Sequence, residues 1–445
     1  IQPYPEQQTR GSRLEGFRYT SREFFEKEWE GMWTKVWLLL GRESELPEPG
    51  DWQMEPVGPE EILMVRQADG GVKAFYNVCQ HRGNPLVEES KGHVKRFVCK
   101  YHSWAFMPDG ELNFAPDRED FPEGNPCGKV RLQELACETF AGFVWVNMDP
   151  DCMPLKQFLG PIWEEWEARE VGTWTRTTAN TMWLPCNWKV VLDNFNESYH
   201  VPTVHMGATT STDRTKISSN INTYFKETRF DLSDEGHNRM IMEGGYGSGS
   251  TDKEGNILEP LASQLRYWDL DPADFKGNPE ATRGALQEAK RKLGAERGFS
   301  HYDKVPDQQL TDAFHYTLFP NFAVSLWSDG FHFLRARPHR SDPEQCLFDN
   351  WWYAPDPAGA SGPVRTTAGL VERDAVVEHE QFAPGEQSMG LTIDQDMSIF
   401  PGQQLAMHSR SYTGSYLAGQ ESRVSRLHEL VDDCIAGNPP WSSGA

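Results

Sequence analysis

Two short stretches, CQHRG (Cys79–Gly83) and CKYHSW (Cys99–Trp104), each set one cysteine and one histidine within three positions of each other, with seventeen residues between His81 and Cys99. Four donors on two such turns meet at one centre only when strands hold the turns side by side, so this segment is constrained to a small β-domain. The flanking sequence agrees. DWQMEPV, EILMVRQ, VKAFYNV, KRFVCK and AGFVWVNMD are short, rich in β-formers and parted by Gly, Pro or Asp. We expect residues 46–157 to form this domain, after an N-terminal helical segment (residues 1–45) in which Phe24, Phe25, Trp29, Met32, Trp33 and Trp37 recur at helical spacing.

A Cys₂His₂ zinc site accepts the same donor types. Zinc fingers, however, put both cysteines in one pair and both histidines in the other, whereas here each pair is mixed. A [2Fe–2S] cluster takes the mixed set, with Cys79 and Cys99 on one iron and His81 and His102 on the other, and the neutral imidazoles raise its potential. The pattern C-x-H-x₁₇-C-x₂-H closely resembles the Rieske motif, including Trp104. It departs from that motif at Lys100 and Ser103, where the family usually carries Pro and Gly.

A second constellation lies in DNFNESYHVPTVH, residues 193–205. His200 and His205 would diverge by about 140° on an unbroken helix. We expect Pro202 to end the helix NWKVVLDNFNESYH (Asn187–His200) and let the chain swing His205 back. Asp193, Glu197 and His200 recur at i, i+4 and i+7, which predicts one shared helix face. Two imidazoles and a carboxylate on iron(II) leave open positions for dioxygen and substrate.

With both motifs in this order, the chain resembles the catalytic (alpha) subunit of a Rieske-type ring-hydroxylating oxygenase, from the N-terminal helix through NWK (Asn187–Lys189) to the C-terminal helix. The resemblance implies a third iron ligand within IDQDMSIFPGQQ. Asp396 matches best, with Gln404 eight residues on, and Asp394 is the rival. It also implies that Glu197 connects the Rieske domain of one subunit to the iron of its neighbour, with Asn194 of the same motif as a second catalytic residue. The implied fold is α+β: a Rieske all-β domain, then a helix-grip (START/Bet v 1-like) catalytic domain with an antiparallel sheet over residues 158–445. Its strands are expected at FHYTLFP, NFAVSLW, FHFLRARP and CLFDNWWYA, with loops and one exposed helix over 207–313 and a helix from about Asp394 to Tyr412.

The implied partners are a ferredoxin and/or NAD(P)H-dependent reductase, O₂ and a small hydrophobic substrate, in a homotrimer of alpha chains with a beta subunit as an option. A balance of 43 Lys+Arg against 66 Asp+Glu, net −23, argues against nucleic acid or an anionic membrane as partner. No window supplies the roughly 18 apolar residues of a membrane span. IQPYPEQQTRGSR reads as a trimmed cytosolic start, and eight irregularly spaced cysteines read as reduced thiols. The Phe, Trp and Met residues of the strands suit an aromatic or polycyclic substrate. A methylated or quaternary amine in an aromatic cage is the alternative, and an electron-transfer protein with a ligand-binding second domain is the alternative from another class. His315, His332, His339, His379 and His408 are further candidates for the pocket, while Arg335 and Arg337 read as rim or interface ion pairs.

Overall fold

The computed structural model describes residues 10, 11, 13–205, 228–244, 250–259, 261–355, 364–366, 369–371 and 379–441. Two short helices, α1 (Phe17–Thr20) and α2 (Arg22–Glu28), lead into a π-turn at Trp29–Trp33 that buries Met32 and Trp33. The chain divides into two units: Glu26–Phe158 with Pro338–Asp342, and the remainder, which includes the segment through Phe25. No helix among the described residues is long and apolar enough to cross a membrane.

The first unit is built on strands β1 (Leu38–Arg42), β2 (Asp51–Val57), β3 (Glu60–Arg66), β4 (Val72–Tyr76), β5 (Lys91–His93), β6 (Phe97–Val98), β7 (Ala105–Phe106), β8 (Leu112–Phe114), β9 (Glu134–Phe140) and β10 (Phe143–Asn147). Seven form one sheet in the order β1-β10-β9-β4-β3-β2-β5, and β6-β7-β8 form a smaller one. Trp52, Leu63, Phe75, Phe97, Trp104, Phe106 and Leu112 share a core with Cys79 and Cys99. Gly110 turns the chain between β7 and β8 at φ +88°, where a Cβ would stand 2.6 Å from the Phe75 ring. Only glycine fits.

In the second unit, the helices α4 (Pro161–Ala168), α5 (Trp188–Phe195), α6 (Val201–Val204), α7 (Leu261–Tyr267), α8 (Ala281–Leu293), α9 (Gln308–Thr311), α10 (Leu391–Met397), α11 (Phe400–Ala406) and α12 (Ser422–Ile435) follow α3 (Leu155–Leu159). Its strands are β11 (Thr175–Leu184), β12 (Thr228–Leu232), β13 (Asn238–Met242), β14 (Ala313–Leu318), β15 (Phe322–Leu326), β16 (Phe331–Pro338), β17 (Cys346–Ala354), a hairpin of β18 (Val364–Thr366) and β19 (Gly369–Val371), and β20 (Glu380–Phe382). Eight make one sheet in the order β12-β13-β14-β15-β16-β17-β11-β20. Pairing is antiparallel from β12 to β16 and between β17 and β11, and β20 joins β11 in parallel.

Alternation along these strands sorts their side chains onto two faces. On one, Trp166 of α4 meets the edges of Tyr316, Phe322 and Phe331, with ring centroids 5.3–6.2 Å apart. On the other, Phe195 of α5 stacks on Phe348 at 5.8 Å. The α4 face also holds Arg335 and Arg337, which are not rim residues. Two positions apart, they share a face, and both bond the buried Asp349 (2.7 Å from Arg335 Nε, 2.9 Å from Arg337 Nη2).

Three helical expectations change. The helix from Asn187 ends at Phe195 rather than His200, with Asn196 at its C-cap, because Asn and Ser favour turns over helix interiors. The helix expected from Asp394 to Tyr412 is two, α10 and α11, with Pro401 in the first turn of the second, where its missing N–H costs nothing. The region before β14 holds its own core of Leu265, Trp268, Leu286, Phe299, Tyr302 and Leu310. Lys290 of α8 is buried there and donates to Leu310 O (2.6 Å) and Ser328 Oγ (2.8 Å). Residues 207–227, 245–249 and 260 of that region lie outside the described residues.

Candidate metal centres

In the first unit the two Cys/His turns are conformational copies. Gly83 N donates to Cys79 O and Ser103 N to Cys99 O, each at 3.0 Å, while Cys79 N donates to Asn84 O and Cys99 N to Trp104 O, each at 2.8 Å. Both turns need a left-handed residue at the fourth position after the cysteine, and Gly83 (φ +75°) and Ser103 (φ +56°) supply it. Ser103 therefore occupies a conformation that glycine adopts without strain.

The paired turns bring four donors together. The His81 and His102 rings lie 4.5 Å apart at 76°, Trp104 stacks on His81 at 4.7 Å, and Tyr101 covers His102 at 3.7 Å. His81 Nδ1 is buried and makes no hydrogen bond among the described residues. Burial, reinforced by the neighbouring Cys99 sulfur, pushes the Cys79 thiol up to about 11. Two buried sulfurs beside two imidazoles, one of them with an orphaned nitrogen, fit the donor set of a Rieske [2Fe–2S] cluster.

In the second unit, His200, His205 and Asp396 converge, with one ligand atom of each within 4.8 Å of the others. The local route differs from the expected one. Pro202 does not stop a helix; it sits in the first turn of α6, with His200 at the N-cap and His205 at the C-cap. One helical turn thus carries both imidazoles, and His205 N closes it on Val201 O at 3.0 Å. Since α5 has already ended, Asp193, Glu197 and His200 do not share a helix face. Asp193 instead accepts from Tyr19 Oη (2.6 Å) and contacts His428 Nε2 (3.2 Å), tying α1 and α12 to α5.

Each imidazole is held by its far nitrogen. His200 Nδ1 lies 2.6 Å from Glu197 Oε1, and His205 Nδ1 lies 2.8 Å from Gln395 Oε1. These acceptors hold the Nδ1 protons and turn both Nε2 atoms toward Asp396 Oδ1, at 3.4 and 3.1 Å, as the nitrogens left to ligate an ion. That oxygen is buried against the two imidazole nitrogens. Two ligands about 2.1 Å from one ion stand about 3.0 Å apart at a right angle and about 3.4 Å at the tetrahedral angle, so the spacings suit edges of a single coordination shell. Burial lowers His200, but Asp396 and then Glu197 outweigh it and lift it to about 9. Burial raises Asp396, but His200 and His205 outweigh it and hold the carboxyl below its usual range.

The remaining predicted residues sort by geometry. Asp394 reaches back to the chain entering its own helix, accepting from Met389 N at 2.8 Å and Ser388 Oγ at 2.5 Å. Glu197 also accepts from His200 N at 3.1 Å and from Tyr199 N, so its carboxylate organises the chain around the first histidine. Asn194 Nδ2 is buried with no partner among the described residues. Asn187 caps α5 through Lys189 N (3.0 Å), while its own N–H donates to Gln404 Oε1 (2.9 Å), which gives NWK and Gln404 a structural reason. His315 and His332 are buried on the α5 face, and His379 contacts Thr181 Oγ1 at 2.6 Å. His408 is exposed against Glu344, and His339 accepts from Ser341 N and Asp342 N. Sequence reasoning missed Gln395, whose only signal is adjacency to Asp396.

A family model described as "Ring hydroxylating alpha subunit (catalytic domain)" matches residues 171–437, and one described as "Rieske [2Fe-2S] domain" matches residues 36–132. The biphenyl 2,3-dioxygenase subunit alpha of Rhodococcus jostii (strain RHA1) is 28% identical over 319 residues, covering 70% of this chain and 63% of that protein. The carnitine monooxygenase oxygenase subunit of Escherichia coli (strain K12) is 34% identical over 195 residues, covering 42% and 51%. Naphthalene 1,2-dioxygenase with indole bound superposes with a TM-score of 0.66 at 20% identity, covering 99% of this chain and 97% of that one. The first curated relatives are matched over 42% to 63% of their own lengths.

Proposed function

The chain belongs to the ring-hydroxylating alpha-subunit family, with a Rieske [2Fe–2S] domain ahead of its catalytic domain, and from that premise we propose that it is the oxygenase component of a multicomponent Rieske non-haem iron system. It hydroxylates an aromatic or polycyclic compound with O₂, by mono- or dioxygenation, using electrons from NAD(P)H delivered by a ferredoxin and/or reductase. The observation that carries this reading is the convergence of Asp396 Oδ1 with the Nε2 atoms of two imidazoles, because three such donors on one side of a site suit an oxygen-activating iron(II). When bound, iron(II) on His200, His205 and Asp396 activates dioxygen, and a cluster on Cys79, His81, Cys99 and His102 supplies electrons one at a time.

The protein's part is positional. Glu197 and Gln395 lock the imidazole tautomers so that both Nε2 atoms remain ligands. Burial of His205 and Asp396 keeps bulk water from the ligand set. Asn194 contributes an uncommitted amide N–H two positions before Asn196. In the trimer that the family resemblance implies, Glu197 is the link to a neighbouring Rieske domain. A methylated or quaternary amine is the second reading, favoured by the 34% identity to a carnitine monooxygenase subunit.

The test is substrate-dependent oxygen consumption with a surrogate reductase, over a panel of aromatic, steroid-like and quaternary-amine compounds. Stimulation by aromatic compounds, with hydroxylated product, is expected. A reduced cluster and filled iron site that consume no oxygen with any aromatic member would overturn the substrate assignment.

A further inference from the structure

A guanidinium group on α12 is buried among uncharged acceptors. Arg423, fully buried, lays its fork across two residues that strand register sets opposite each other, Asn238 of β13 and Thr317 of β14. Nε donates to Asn238 Oδ1 at 2.5 Å, and Nη2 donates to Thr317 Oγ1 at 2.9 Å and to His315 O at 3.4 Å. None of the three acceptors is a carboxylate, and Nη1 has no hydrogen-bond partner among the described residues. Burying a charge in this way costs more than burying an apolar side chain of similar size. Helix-to-sheet packing alone therefore does not account for an arginine here.

The hydrogen bonds beyond it have a fixed direction. A guanidinium only donates, so Thr317 Oγ1 accepts from it and has its one proton left for another group. That proton goes to Asn196 Oδ1, at 2.6 Å. The bond sets the Asn196 amide with its oxygen toward Thr317, while Asn196 N closes α5 on Leu192 O at 2.9 Å. Asn196 is fully buried and immediately precedes Glu197, whose carboxylate holds His200 Nδ1 at 2.6 Å. The same helix takes a second hold on this segment, where His428 Nε2 contacts both carboxylate oxygens of Asp193 at 3.2 Å. Burial draws the Arg423 guanidinium down to about 9, and the charge that opposes the fall is the Glu197 carboxylate. Arg423 thus meets Glu197 by two routes, through hydrogen bonds to its neighbour and through space.

Resting on the reading of His200 as an iron ligand, we propose that Arg423 is a positioning residue for the mononuclear iron site, acting through Thr317 and Asn196 on Glu197 and so on the aim of the His200 ring. It touches no ligand itself. With Arg423 in place, the Thr317 hydroxyl has one orientation, the Asn196 amide one flip, and Glu197 leaves α5 from a fixed cap. Without it, the Thr317 hydroxyl is free to rotate and the Asn196 amide loses the bond that sets its flip.

The test is anaerobic Fe(II) titration against a chromophoric chelator, with urea unfolding of each variant beside it. Thr317→Val removes both bonds of the relay at nearly constant shape and should weaken Fe(II) binding about fivefold, less than the roughly 10–100-fold worth of a group that touches the ligand itself. Arg423→Met should do the same, and Thr317→Ser, which restores the hydroxyl, should return wild-type affinity. Should Arg423→Met fail to fold, the two Thr317 variants decide. Asn238→Ala removes the Arg423 bond that does not lead to Asn196, so it should lower the urea midpoint and leave iron affinity unchanged, which separates positioning from a merely structural role. In a Glu197→Ala background, adding Thr317→Val should weaken iron no further, because the route ends at Glu197. Wild-type affinity in Thr317→Val, a loss of the same size that persists without Glu197, or an equal loss in Asn238→Ala would each overturn the proposal and leave the iron reading standing. A wild-type site that takes up no Fe(II) would overturn both.

Discussion

Replacing Glu197 with alanine separates two roles that the sequence merges. The family resemblance casts this acid as a connector between redox centres, and a pure connector can be removed without loosening metal. The structure gives it a local task. Glu197 Oε1 lies 2.6 Å from His200 Nδ1, and the carboxylate also accepts the amides of Tyr199 and His200, so it sets both the tautomer and the backbone at the start of α6. Outer carboxylates of this kind are worth about 10–100-fold in metal affinity, or about 1.4–2.7 kcal/mol at 1.36 kcal/mol per decade. Glu197→Ala should weaken Fe(II) binding by that factor, and Glu197→Gln, which keeps an acceptor oxygen, by about tenfold or less. Anaerobic titration against a chromophoric chelator reads the affinity, while visible absorbance shows whether the cluster is intact. Wild-type iron affinity in Glu197→Ala would refute the orienting role. Turnover at saturating iron then isolates the connecting role, since recovered activity would remove Glu197 from the electron path.

Asp396→Ala should empty the mononuclear site and spare the cluster, whereas Asp394→Ala should retain iron and lose about 1 kcal/mol of stability with its bonds to Met389 and Ser388; iron and sulfide analysis with urea unfolding checks both. Asp349→Ala leaves Arg335 and Arg337 buried without their carboxylate and should cost about 3–5 kcal/mol at pH 7. Burial raises Asp349, but Arg335 and Arg337 outweigh it and hold it well below the carboxylate range, so the unfolded chain takes up this proton first as pH falls. The wild-type advantage is therefore full above about pH 4 and shrinks as pH falls from there toward the folded pKa, which urea midpoints from about pH 6 down to about pH 2 would reveal. Ser103→Gly should stabilise the first unit by about 1 kcal/mol by relieving a left-handed residue, measured as a higher unfolding midpoint with unchanged cluster absorbance.

The pairing of the two Cys/His turns was legible because their geometry is local: two turns, each closed within five residues, need only the spacing of Cys, His and Gly or Ser. The catalytic strands were legible from alternation and β-branched or aromatic content. What stayed hidden depends on choices a linear pattern leaves open. Proline both ends helices and begins them, and Pro202 begins one, so the two histidines come together by bracketing a turn rather than by folding back across a break. Asp394 and Asp396 differ only in where α10 starts. With Gly390 at the N-cap, Asp394 reaches back to Met389 N and Asp396 turns inward. Arg335 and Arg337 share a face by their spacing alone, but their partner Asp349 lies on the next strand, twelve to fourteen residues on, and is visible only once strands are paired.

Pairing also explains how one sheet serves two unlike surroundings. Along β16 and β17, alternate residues carry either the ion pairs of Arg335, Arg337 and Asp349 or the uncharged His332 and Asn350. A shift of one residue in register would exchange the two sets and bury two guanidinium groups beside the iron-ligand segments. Asp349 therefore acts as a register lock as well as a counter-ion: in the correct pairing it meets both arginines and Thr181 Oγ1 at 2.7 Å, and in the shifted one it would leave them uncompensated. That buried cluster lies on the face away from α5, so the pairing that satisfies it is also the one that turns the uncharged His332 and Asn350 toward α5.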